Sequence, residues 1–519
     1  MNLVLPPSVS RSTFERALRD FAGVVGQEWV LSTDEDRTTY MDAYALGDGS
    51  DHVASAAVAP QSVEEIQAVL RLANEHRIPL WPISRGKNLG YGGSAPLVSG
   101  SVVLDLGRMK RILEVDEKAG YVEIEPGVGF FDLYQYLQSH KIPLWMSVPG
   151  NAWGSVIGNA LERGLGYSPY GDNTSKLCGL EAVLPGGELV RTGMGAMANS
   201  KNWHRYQYGF GPHWDQLLVQ SNFGVVTRAG MWLMPEPEAT MSVTIDLPHI
   251  EDIVWFVDEM AQLRLRGVVE QPLLCGNYVR IAMTFSQRDD WYKGQGAIPD
   301  DIAKKIMEHF HTGYWGSSLT LFGYPEAIKA HAEVVRRAVE PHLKEALRFS
   351  TWHRGEPIKR SGAGVPDLLS LQIANWRGGR GGHIDFSPVM PPDGKLALEQ
   401  VHRMKQRFNE FGFDYYASFT LGQRHINNIN VIVYDRDDAA MVEAAKNLFK
   451  TMVADAAREG YGEYRTHLSF MQLVSDTFDF NDHALRRLDE KVKDALDPNG
   501  VLAPGKNGIW PRSYREKAP

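Results

Sequence analysis

Glycine clusters punctuate this chain at the ends of its regular segments: SRGKNLGYGG at 84–93, PGNAWGSVIGN at 149–159, RGLGYSPYGDN at 163–173 and APGKNGIW at 503–510, with QSNFGVVT at 220–227 placing one more ahead of a strand. Glycine tolerates positive φ and close backbone approach, so each cluster marks a sharp turn or a surface the main chain itself presents. The first directly follows a predicted strand, and successive N–H groups in such a turn can converge on an anion such as a pyrophosphate. It is not a P-loop, which needs G-x-x-x-x-G-K-[ST], and no helical pattern opens behind it as G-x-G-x-x-G requires. Taken alone, a surface loop accounts for it as well as a phosphate cradle does. Several such loops flanking strands of one domain point instead to a long, flat, phosphate-bearing ligand.

The segments between the clusters alternate. Ser62 and Glu65 form a capping-box pattern ahead of Val63, Ile66, Val69, Leu70 and Ala73, which predicts an amphipathic helix ending near Arg77. Strands are predicted at 79–83, SVVLDL and GYVEIEPG, a helix at FFDLYQYLQSHK, and a strand pair in GLEAVLPGGELVRT around its Pro-Gly-Gly turn. After MWLMPEPE the order restarts with strand TMSVTIDL, helix 250–265, strand SLTLFGY and a long helix from Glu326 to about Leu347. A second round follows: helix 396–411, strands DYYASFTLG and INVIVYD, and helix 439–459. The expected fold is α+β with two lobes, 1–236 and 237–462, and with 463–519 returning to the first.

At 519 residues, 43% hydrophobic and 23% charged, the chain has the balance of a globular protein with a large core. A net charge of −9 with no basic cluster argues against a nucleic-acid partner. Two cysteines, Cys178 and Cys275, make neither a disulfide framework nor a Cys-type metal site. No signal-peptide pattern or run of about 18 apolar residues stands out, so the expectation is a cytoplasmic protein without a membrane anchor.

One further cluster, WRGGRGGHIDFSPVMPP at 376–392, sets His383, Asp385 and Ser387 two apart, on what would be one face of a strand. With these motifs in hand the chain resembles, nearly end to end, the vanillyl-alcohol oxidase and para-cresol methylhydroxylase flavoproteins. The resemblance implies an FAD-binding lobe under a cap with a large antiparallel sheet, and assembly as a homodimer. It implies that Ser84, Arg85, Gly86, Lys87, Asn88, Leu89 and Gly90 hold the FAD pyrophosphate. Pro149, Gly150, Gly154, Ser155, Gly158 and Asn159 would line the rest of the cofactor, together with Tyr170, Gly171, Gly224, Val225, Arg465 and Lys506. In the oxidase branch the histidine of GGHIxFSP is bonded to the flavin, which makes His383 the implied covalent attachment residue. Ala374 stands where the methylhydroxylases carry their attaching tyrosine.

Tyr91, Tyr464 and Arg465 match the phenolate-binding triad of that family, and two O–H donors with a permanent cation lower the pKa of a bound phenol. A para-substituted phenolate pushes electron density toward its para carbon, so hydride can leave the benzylic position and a quinone methide results. The implied substrates are 4-alkylphenols, 4-allylphenols such as eugenol and 4-hydroxybenzylic alcohols, with O2 as acceptor and H2O2 as product. A cytochrome-coupled dehydrogenase, a low-turnover flavin-binding protein and a hydroxy-acid oxidoreductase are the alternatives. Two departures stand out: Ser147 replaces the usual aspartate ahead of Pro149, and Asp385 introduces a carboxylate beside His383. Asp385 is therefore a candidate for activating water or holding a polar substrate tail, against a paired, structural carboxylate. Ser387 and Thr420 are expected in the substrate pocket with Ser147, and RHINN at 424–428 is a further departure.

Overall fold

The computed structural model describes residues 3–343, 347–357 and 364–515. The helix Val63–His76 begins where the Ser62 hydroxyl accepts the Glu65 N–H at 3.2 Å, and it ends at Arg77 in the left-handed region. Its buried stripe of Ile66, Val69, Leu70 and Ala73 shares a core with the helix Arg11–Val25 and a four-stranded sheet. Three strands of that sheet, Ala56–Val58, Val102–Asp105 and Leu80–Ile83, run parallel. A second, antiparallel sheet orders Ile112–Asp116, Tyr121–Ile124, Val225–Trp232, Leu177–Val183 and Leu189–Arg191, with the helix Phe130–Ser139 in its core.

All strands of the eight-stranded sheet fall within 239–435. Its order is Arg348–His353, Ala239–Leu247, Trp315–Gly323, Leu273–Asn277, Tyr416–Leu421, Ile426–Asp435, Gly381–Phe386, and the short strand Val389–Met390 also pairs with Ile426–Asp435. Every pairing in it is antiparallel. The helices Ile253–Leu265, Pro325–Val339, Gly394–Glu410 and Ala439–Arg458 bury their apolar stripes with one face of this sheet in a common core. No helix among the described residues is long and apolar enough to cross a membrane.

The chain then returns to the first sheets. Leu502 bridges Leu80 in parallel, and Lys493, wholly buried on the helix Phe480–Leu496, donates to the Asn222 and Leu502 carbonyls at 2.8 and 2.6 Å. Its ion-pair partner Asp497, at 2.8 Å, accepts the Val501 and Leu502 N–H groups. Lys493→Met leaves that carboxylate buried without its cation, so the urea midpoint is expected to fall by the equivalent of about 3–5 kcal/mol. A loss of less than about 1 kcal/mol, the level of a surface pair, would contradict this.

One expectation needs correction. The helix predicted from Glu326 to about Leu347 is Pro325–Val339 followed by the single turn Glu340–His342, because Pro341 has no N–H to donate to a continuing helix. Residues 344–346 lie outside the described residues, and beyond them the strand Arg348–His353, which the pattern did not announce, closes one edge of the large sheet. The elements Leu273–Asn277, Tyr278–Phe285 and Asp300–Phe310 were likewise unannounced.

Candidate active site

Alternation along antiparallel strands builds one wall of the site. Across the sheet, Asp385 pairs with Val431 and Val431 with Tyr416, Ile429 with Ser418 and Ser418 with Gly276, and Asn427 with Thr420 and Thr420 with Leu274. His383 pairs with Val433 on the same face. Side chains of this face look into a cavity of about 520 Å³, lined here by His383, Asp385, Val431, Tyr416, Ser418 and Thr420. The residues between them, Ile384, Phe386, Ile432, Tyr434, Ala417 and Phe419, point into the helix-backed core.

The facing wall comes from the glycine loops. Gly86, Gly90 and Gly92 have φ of 62°, 81° and 110°, which the glycine-rich spacing supplies. A Cβ at Gly90 would stand 2.8 Å from His383 Cε1, so the loop passes directly over the histidine. Ser84 and Ser155 join hydroxyls at 2.8 Å, and Ser155 Oγ also accepts the Gly158 N–H at 2.8 Å. Ser84, Gly86, Lys87, Asn88, Leu89, Pro149, Gly150, Gly154, Ser155, Gly158, Asn159, Gly224, Val225 and Lys506 all line this side.

Some of the expected residues lie elsewhere. Arg85 turns away to pair with Asp132 at 2.5 Å. Gly90 sits behind His383 rather than on the lining, and Gly171 is packed against Pro272. The Tyr170 ring takes the Lys176 ammonium 4.8 Å from its centroid. Ser147 has its hydroxyl buried against Gly166, without a hydrogen-bond partner among the described residues. Ser387 keeps the parity of His383, but the strand ends at Phe386, and the Ser387 N–H is drawn to both Glu463 oxygens at 2.9 Å, which buries the residue. The expected pocket position for Ser387 is thus corrected: a carboxylate beyond the strand end pulls it out of the cavity.

That contact also positions the segment that carries Tyr464 and Arg465. Glu463 bridges Pro388, and Val389 N–H reaches the Gly462 carbonyl at 2.9 Å, so the segment that follows is stitched to the end of the histidine strand. Arg465 then lies with its guanidinium 4.0 Å from the Tyr91 ring centroid, bonds Asn88 Oδ1, and keeps its buried Nε without a partner among the described residues. Gln220 donates to the Tyr464 carbonyl at 2.9 Å, and a buried His467–Asp42 pair at 2.9 Å braces the chain just beyond.

The electrostatics follow from this packing. Burial, with Glu463 and Asp385 adding to it and Arg465 opposing, pushes the Tyr464 phenol up to about 12. Burial and then Asp385 raise Tyr91 well above its ordinary value. Both phenols therefore stay protonated donors at neutral pH. Burial likewise lifts Glu463 well above the carboxylate range. Asp385 Oδ1 lies 2.9 Å from His383 Nδ1, and the Tyr44 ring packs on that imidazole at 4.9 Å.

Sequence reasoning missed Tyr167, Arg280, Tyr416 and Ser418, all on the lining. Tyr416 and Ser418 were within reach, since they share the parity of Thr420 on a strand already read as lining the cavity. Arg280 gave no signal, because its helix did not stand out.

Residues 54–193 match the family described as FAD binding domain, and 367–507 match the C-terminal domain of FAD linked oxidases. The chain is 32% identical over 515 residues to the flavoprotein subunit of 4-cresol dehydrogenase (hydroxylating) from Pseudomonas putida, covering 98% of each. Among solved structures it matches 4-ethylphenol oxidase from Gulosibacter chungangensis, in complex with isoeugenol, at 35% identity and TM-score 0.93, covering 99% of this chain and 100% of that one. It also matches substrate-bound p-cresol methylhydroxylase at 31% identity and TM-score 0.93, covering 98% and 99%.

Proposed function

The chain belongs to the vanillyl-alcohol oxidase and para-cresol methylhydroxylase family of FAD-dependent oxidoreductases, and from that premise we propose that it oxidises para-substituted phenols at the benzylic carbon and passes the electrons to O2. Flavin-dependent oxidation of 4-alkylphenols is the activity its relatives support; the acceptor, the covalent link and the residue roles are the proposal's own. The observation that carries it is the convergence in one cavity of Tyr91 and Arg465, 4.0 Å apart, with Tyr464 next in chain and His383 and Asp385 opposite.

The residues fit FAD. The glycine loops bring bare backbone to one wall, where a Cβ at Gly158 would meet Ser84 Oγ at 2.6 Å, while Gly154 opens onto clear space. Ser84, Gly86, Lys87 and Asn88 would hold the pyrophosphate, and the 149–159 and 224–225 segments the remainder. Bound there, FAD supplies the acceptor for a hydride from the substrate. Tyr91 and Tyr464 donate to the phenolic oxygen, and the unpartnered Arg465 Nε adds a charged donor, so the substrate is held as its anion. Expulsion of hydride from that anion gives a quinone methide, to which water adds; a benzylic alcohol loses a proton and gives the aldehyde.

Asp385 has two tasks in this reading. Its hydrogen bond places the proton on His383 Nδ1 and leaves Nε2 free for the flavin linkage. Its cavity-facing position lets it accept a proton from the attacking water in place of the aspartate missing at Ser147.

Anaerobic mixing with 4-propylguaiacol or vanillyl alcohol is expected to bleach the flavin, and air is expected to restore the colour within seconds with release of peroxide. Reoxidation over many minutes would assign the electrons to a cytochrome or other carrier. Bleaching by lactate or glycolate but not by phenols would overturn the proposal.

A further inference from the structure

Arg280 is a cation on the cavity lining that phenol oxidation leaves unused. It projects from the helix Tyr278–Phe285, and its guanidinium has no hydrogen-bond or ion-pair partner among the described residues. Neighbouring arginines of the same lobe differ. Arg264 donates to the Val269, Gln271 and Gly422 carbonyls, while Arg288 and Arg377 share the Asp414 carboxylate at 3.0 and 3.3 Å. Those three are held as structure.

Arg280 is held over the cavity wall by a missing side chain. Gly276 stands opposite Ser418 on the cavity face, and a Cβ there would lie 2.7 Å from Arg280 Cδ. The bare backbone is what lets the arginine stem lie across the sheet. From there its charge reaches two phenols of the lining, opposing the burial that raises Tyr167 and Tyr416. Asp367, also on the lining, acts on Tyr167 in the opposite sense; its Oδ1 accepts the Leu369 N–H at 3.0 Å, and no ion pair joins it to Arg280 among the described residues.

We infer that Arg280 determines specificity for the para chain of the substrate, and that this chain ends in a carboxylate. The inference rests on the phenol reading and deepens it. A half-buried guanidinium on the lining, without a partner among the described residues, is met best by an anion that accepts two parallel N–H bonds. The distance suits a chain of several atoms: the strand of Asp385 and that of Gly276 are three strand spacings apart, about 14 Å. Counted from the benzylic carbon, which this reading places by Asp385, a three-carbon chain and its carboxylate reach roughly 5 Å, and the arginine side chain, roughly 7 Å when extended, covers most of the remainder. Between the two ends the wall is mixed: Val431, Ile429 and Ile373 offer apolar surface to the methylenes, and Tyr416 and Ser418 stand on the intervening strand, Ser418 directly opposite Gly276.

The test compares 4-(4-hydroxyphenyl)butanoate with 4-butylphenol on the flavin-loaded protein, by calorimetric binding and by the concentration dependence of anaerobic bleaching. Arg280→Leu is expected to raise Kd and KM for the butanoate roughly 10- to 100-fold and to change those for 4-butylphenol less than about threefold. Arg280→Lys is expected to recover part of the loss for the butanoate alone. Equal changes for the two probes in both variants, or none for either, overturn the inference. If neither phenol bleaches the flavin, the oxidase reading falls, and the calorimetric comparison still decides the role of Arg280.

Discussion

Arg465→Met is expected to slow anaerobic flavin reduction by 4-alkylphenols roughly 100- to 1,000-fold, the cost of removing one donor aimed at a developing or fixed oxyanion. Methionine keeps most of the stem that lies across the Tyr91 ring, so packing survives while the charge is lost. With the cation gone, Tyr91 and Tyr464 remain as neutral donors, and burial already holds both in the protonated state. The bound phenol then keeps its proton to higher pH, and the rate of bleaching is expected to rise with pH across the range where the parent protein is flat. A variant reduced within a factor of about three of the parent, with the same pH profile, would show that the charge is not what binds the substrate.

His383→Ala is expected to abolish retention of flavin through acid precipitation: the pellet loses its yellow colour, and the fluorescent band in a denaturing gel disappears. The parent should retain about one flavin per chain, because a carbon–nitrogen bond survives unfolding where packing and hydrogen bonds do not. Asp385→Asn separates position from reactivity. An asparagine keeps the size but not the carboxylate that, in the proposed reading, holds the proton on His383 Nδ1, 2.9 Å away, so covalent loading is expected to fall to an intermediate level and to build up more slowly on adding FAD to the apoprotein. Retention of colour by the alanine variant would assign the attachment to another residue.

The parts of the fold that were legible in the sequence are those governed by local rules. Ser62 and Arg77 bracket a helix because capping is decided within a few residues. Period-two alternation in DYYASFTLG and INVIVYD marks strands, and it marks which of their side chains share a face. Parity also put His383 and Asp385 together. It failed at Ser387 for a reason no local pattern carries: Glu463, 76 residues downstream, captures the Ser387 backbone N–H and ends the alternation. The convergence of Tyr91 with Arg465 is of the same kind, since it depends on how the 460s segment is stitched to the histidine strand. Arg280 was missed because the eight-residue helix that carries it is short and mostly apolar, and a short apolar run reads as strand or helix with equal ease.

The two-sided wall of the large sheet divides labour by parity. Along Tyr416–Leu421, Tyr416, Ser418 and Thr420 meet whatever enters the cavity, while Ala417, Phe419 and Leu421 are locked among the helices behind. Exchanging one set changes what the enzyme accepts, and exchanging the other changes whether it folds. Each position is thus exposed to one demand and screened from its neighbour's, so a chain with this architecture can drift from one aromatic diet to another without loosening its frame.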